Sequence, residues 1–126
     1  MKTEFEVKAE IRIVLSQQDI DDIMVCALEG GITYWCFKAK VVGEYLGEYA
    51  SEQISRGGML KLYDMEGGEK YWLDLDKFLN GFKLWLENDG DQYGAVENGE
   101  VDCCNIDAEC ADAIIQYALF GEVIYG

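Results

Sequence analysis

The chain has 126 residues and a mass of 14.2 kDa, enough for one domain and not for two. It carries 25 acidic and 10 basic side chains, a formal net charge of −15, and has neither histidine nor proline. Without histidine there is no Ser-His-Asp triad, Cys-His pair, HExxH helix or Cys/His zinc finger, and a pI ≈ 4.1 sets the chain against DNA, RNA and anionic membranes.

Half the residues are apolar and 13% are aromatic, so a packed core is expected and not disorder. Residues 1–4 lead into an alternating segment, not the apolar run of a secretory signal. The longest apolar stretches, such as Tyr117 to Phe120, are too short to span a bilayer. A soluble, cytoplasmic protein is expected. The five cysteines (Cys26, Cys36, Cys103, Cys104 and Cys110) form an odd set, which argues against a disulfide framework.

Phe5, Val7, Ala9, Ile11 and Ile13 alternate with charged residues and predict a half-buried strand. Ser16 then caps a helix, with Asp19 completing a weak capping box. Ile20, Ile23, Met24, Ala27 and Leu28 form its apolar stripe and Gly30-Gly31 stops it. Residues 32–42 read either as a strand or as an irregular packed segment. From Val42 the period becomes helical, with Tyr45, Leu46, Tyr49, Ala50, Gln53 and Ile54 on one face, and Gly57-Gly58 ends it. Met59 to Met65 and Glu69 to Leu75 predict two strands of a hairpin around Glu66-Gly67-Gly68.

Asp76 is the expected cap of the next helix, whose apolar face is Phe78, Leu79, Phe82, Trp85 and Leu86 and which ends near Gly90. Residues 91–105 show no clear period and read as a long loop holding a short strand pair. Asp107 caps a last helix with Ala111, Ile114, Ile115, Ala118 and Leu119 inside, Gly121 closes it, and residues 123–125 form a short tail. The expected fold is α+β: a single domain over residues 1–126, with a short antiparallel sheet of three or four strands and about four helices.

Charge is unevenly placed. Residues 84–126 hold ten acids and no base, whereas residues 1–83 hold fifteen acids and all ten bases. On a helix over residues 42–56, Glu44, Glu48 and Glu52 would stack at i, i+4 and i+8, with Cβ atoms roughly 5–6 Å apart. That spacing resembles the run of phosphates along a nucleic-acid strand, about 3.4 Å per charge. The expected binding surface is therefore Glu44, Glu48 and Glu52 together with Glu87, Asp89, Asp91, Glu97, Glu100 and Asp102. A solvated acidic face that merely keeps the protein soluble is the competing account.

Cys103 and Cys104 lie just before the Asp107 cap and Cys110 in the first helical turn, where a helix N-terminus favours thiolate. With Cys36, or with Asp102 or Glu109, they make a tetrahedral zinc site the alternative. The aromatics Tyr34, Trp35, Phe37, Tyr71, Trp72 and Trp85 are assigned to core packing, with one exposed ring as an interface anchor, since base stacking needs a basic rim and the sequence offers none. Asp21-Asp22 are placed on the solvent side of the first helix, and the acids near Asp89 do not fit a calcium loop.

The stretch Gly30-Gly31-Ile32-Thr33-Tyr34-Trp35, the block 41–50 with 54–58, and residues 106–121 together resemble a family of small acidic proteins carried by phages and mobile elements of gut-dwelling Gram-positive bacteria. The resemblance covers nearly the whole chain and carries no catalytic motif. It implies the setting of the anti-CRISPR proteins, several of which block Cas9 along its nucleic-acid path. The expected function is a non-enzymatic inhibitor that meets a basic defence nuclease, Cas9 with its guide RNA foremost. It would do so through carboxylates, without binding nucleic acid or membrane itself and without a required cofactor. A zinc-stabilised structural or regulatory phage module is the alternative.

Overall fold

Ser16 starts the first helix, α1 (Gln17–Cys26), with both halves of a capping box: its hydroxyl accepts from the Asp19 N–H at 3.0 Å, and Asp19 accepts from the Ser16 N–H at 2.8 Å. The computed structural model describes residues 3–5, 12–88, 96–97, 100–101 and 106–126. Most of the alternating segment expected as the first strand lies outside them. Ile20, Ile23, Met24 and Ala27 are buried as the stripe requires, and a π-helical turn, Ala27–Gly31, carries the chain into the core at Ile32 and Trp35.

Three strands follow, β1 (Cys36–Val42), β2 (Met59–Asp64) and β3 (Lys70–Leu73), paired antiparallel in the order β1-β2-β3. Val41, Leu60 and Leu73 share one line across the inner face, as do Ala39, Leu62 and Tyr71. Leu60, Leu62 and Leu73 are fully buried, each worth about 1.5–3 kcal/mol relative to exposure. Helix α2 (Leu75–Asn88) buries Phe78, Phe82 and Trp85, whereas Leu79 is exposed. Asp74, and not Asp76, caps it: its carboxylate accepts from the Lys77 N–H at 2.9 Å. Either aspartate suits the pattern, but the helix starts at Leu75, two residues earlier than an Asp76 cap would allow.

Two short strands, β4 (Val96–Glu97) and β5 (Glu100–Val101), pair with each other, the strand pair expected inside 91–105. Helix α3 (Ala108–Phe120) starts at Asp107, which accepts from the Cys110 N–H, and closes at Gly121. It packs closely on α2 at Gly81, where an added Cβ would stand 2.6 Å from Ala118 Cβ and from the Ile114 carbonyl oxygen. The fold is thus α+β with a three-stranded antiparallel sheet, and among the described residues three α-helices, not four. No helix among them is long and apolar enough to cross a membrane.

The tail after α3 is strapped down. The buried Gln116 accepts the N–H groups of Ile124 and Tyr125 on its side-chain oxygen, both at 2.8 Å. Tyr125 stacks on Trp35 with ring centroids 4.7 Å apart and donates its hydroxyl to Asp64 on the sheet. Asp112, also buried, accepts from the Trp35 indole N–H at 2.8 Å, the Tyr34 hydroxyl at 2.7 Å and the Gln116 amide at 2.9 Å. A carboxylate buried without a cation needs such donors. Burial and the bond to Asp112 push the Tyr34 phenol up to about 12.

Candidate functional site

The helix expected over residues 42–56 does not form. Val42 ends β1, and Gly43, at φ +80, turns the chain out of the sheet in a conformation that suits glycine. Residues 43–49 are irregular, and one 3-10 turn, Ala50–Glu52, follows. Physical reasons lie in the sequence. Gly43 and Gly47 each cost a helix about 1 kcal/mol, and Glu44, Glu48 and Glu52 would repel one another along it. Two side chains also compete for the backbone. Glu52 accepts the N–H groups of Glu48 (2.8 Å) and Tyr49 (3.0 Å), and Gln53 bridges the Leu46 N–H and the Glu44 carbonyl, both at 3.0 Å.

The result is a tethered loop. Gln53 is 1% exposed and anchors it from inside. Arg56 pairs with Glu52 at 3.6 Å and with the buried Asp21 at 3.4 Å, and Ser55 donates to Asp21, so the loop is tied to α1. Asp21 is therefore not on the solvent side of its helix. The two backbone N–H groups, Tyr49 foremost, hold the Glu52 carboxyl below the usual carboxylate range.

This tether decides which candidates point outward. Glu44 and Glu48 are exposed, while Glu52 is engaged inside the loop, so the three do not form a ridge. Beside them Tyr45, Leu46 and Tyr49 are 59%, 48% and 63% exposed. They were expected inside a helix stripe; of that stripe Gln53 and Ile54 alone are fully buried, with Ala50 partly so. Glu87 is exposed in the last turn of α2. Glu97 and Glu100 sit opposite each other in the β4–β5 register. Asp89, Asp91 and Asp102 lie outside the described residues.

The cysteines behave differently from expectation. Cys110 is buried, and burial followed by its bond to the Asp107 carboxylate pushes the thiol up to about 11, the reverse of thiolate activation. Burial also raises Cys36, whose thiol donates to the Lys38 carbonyl at 3.3 Å. Among the described residues no group of three or more acids or cysteines is arranged to hold a metal. Cys103 and Cys104 lie outside them.

The outer face of the sheet carries a second cluster, which the sequence reading does not anticipate. Lys38, Tyr63 and Lys70 share one cross-strand line, and Lys40, Lys61 and Trp72 the next. Phe37, released by a bulge between Cys36 and Lys38, is 58% exposed with its ring 5.9 Å from that of Tyr63. A basic rim thus does surround exposed aromatics. The alternations Lys38-x-Lys40, Lys61-x-Tyr63 and Lys70-x-Trp72 carried the signal. Compared with family models, curated proteins and solved structures, the chain matches none.

Proposed function

We propose that this chain is a non-enzymatic binding protein of a phage or mobile element that docks, through loop 43–49 and the acids around it, on a basic nucleic-acid-handling nuclease. Cas9 with its guide RNA is the first partner to test. The observation that carries the reading is the tethered loop: Tyr45, Leu46 and Tyr49 stand exposed beside Glu44 and Glu48 on a backbone pinned by Gln53 and Glu52. Tyrosines supply large contact area at little conformational cost, and a loop ordered before binding loses less entropy on association. The flanking carboxylates select a basic partner and speed encounter.

Charge placement supports the same reading. Four lysines lie on the outer face of the sheet, which leaves six bases against 25 acids elsewhere, a net of −19. The rest of the surface is therefore more acidic than the chain's overall charge suggests.

The test is loading of target DNA onto a purified Cas9–guide complex. The parent protein should slow loading. Glu44→Gln/Glu48→Gln should weaken the effect and flatten its salt dependence, and Tyr45→Ala/Tyr49→Ala should abolish it. Parent and both double variants acting alike, or none acting, would refute the reading.

A further inference from the structure

The loop leaves the outer face of the sheet without a role, and that face has a chemistry of its own. Lys38, Lys40, Lys61 and Lys70 line it with Phe37, Tyr63 and Trp72, and no strand position on it is acidic. Among the described residues none of these lysines is paired with a carboxylate; the ion pairs there belong to Arg56. The ammonium groups lie instead over rings: Lys38, Lys61 and Lys70 at 5.3, 5.5 and 5.9 Å from the Tyr63 centroid, and Lys61 at 5.4 Å from that of Trp72. Lys40 and Lys61 face each other directly, a like-charge pairing that destabilises a sheet. A chain rich in acids has gathered four of its ten bases on one side of three strands.

We infer that this open sheet face binds single-stranded nucleic acid, with phosphates on the lysines and unpaired bases on Trp72 and Phe37. Charge complementarity fixes the sign of the ligand, and exposed rings between the cations fix its kind, since every base has a face that stacks on an aromatic side chain. An acidic protein surface would use the lysines and leave the rings idle. The overall charge does not forbid it. The domain is roughly 35 Å across, whereas charges are screened beyond about 8 Å at physiological salt, so acids on the far side contribute little at this face.

Fluorescence anisotropy with labelled fifteen-nucleotide oligo-dT and oligo-U, a duplex of equal length and polyglutamate tests the inference on the full chain. Saturable binding to the single strands is expected at 50 mM salt, with log affinity falling against log salt at a slope of about −2.8 if all four lysines meet phosphates. Trp72→Leu, which keeps an apolar side chain, should weaken binding at least about five-fold by loss of stacking. Lys38→Gln/Lys61→Gln/Lys70→Gln should bring the slope to about −0.7, leaving one phosphate contact. Circular dichroism melts confirm that both variants fold. No saturable binding at 50 mM salt would overturn the inference. So would equal affinity for polyglutamate with no effect of Trp72→Leu, which would make the face a contact for acidic protein.

Discussion

Replacing Asp112 by alanine removes the acceptor shared by Trp35, Tyr34 and Gln116, and the structure says which of the three donors suffers. The Tyr34 hydroxyl can turn to the Tyr125 carbonyl at 3.2 Å, and the Gln116 amide keeps that same carbonyl at 3.3 Å. Among the described residues the Trp35 indole N–H has no such fallback, and Trp35 is 2% exposed. A stranded buried donor costs about 1–3 kcal/mol, and the two rerouted bonds lose part of the charge-assisted strength they had. The expected total is about 3 kcal/mol, from the same penalties, and for a chain of this length that lowers Tm by about 10 °C or more. Calorimetry on Asp112→Ala, Trp35→Phe and the double variant isolates the indole bond as a coupling energy. Trp35→Phe deletes the donor, so in its background Asp112→Ala should cost about 1–2 kcal/mol less. A coupling energy within the roughly 0.3–0.5 kcal/mol seen for independent sites would refute the reasoning.

Alkaline pH gives a second test. Cys110 is raised from 9.0 to about 11 and Tyr34 from 10.0 to about 12 in the folded state, so their contribution is complete below pH 9 and is lost as pH rises toward 11 and 12. Urea midpoints of the parent should fall across that window and those of Cys110→Ala should fall less between pH 9 and 11; parallel curves would contradict this. Gly81→Ala gains about 1 kcal/mol of helix propensity but forces α2 off α3 against backbone atoms, so a net loss of about 1–2 kcal/mol is expected in chemical denaturation. Gln53→Met keeps the buried volume and removes both tethers, so the Leu46 amide should lose hydrogen-exchange protection while the α2 and α3 amides keep theirs. Unchanged protection at Leu46 would mean the loop is not held by Gln53.

Much of the frame is legible from local chemistry. Ser16 and Asp107 sit where a cap must, the Met59–Asp64 alternation matches its burial, and Gly121 ends α3. Loop 43–49 is hard to read because its apolar spacing imitates a helix; what overrides the period is local, the reach of Glu52 and Gln53 to backbone groups three to nine residues back, together with Gly43 and Gly47, and apolar periodicity registers neither. Asp21 looked solvated because its partners, Ser55 and Arg56, stand more than thirty positions away. The outer face of the sheet was hidden for another reason. Its lysines are scattered among acids in sequence and become neighbours only when three strands pair, so a whole-chain charge of −15 concealed a basic surface.

If loop 43–49 docks on a basic nuclease as proposed, site-specific photo-crosslinking registers the contact itself. A benzophenone amino acid at Tyr49, in an otherwise unchanged chain, should crosslink to the protein component of a purified Cas9–guide complex, and target DNA loaded beforehand should reduce the yield. A stable complex that crosslinks at neither Tyr49 nor Tyr45, or no complex even at low salt, would contradict the account.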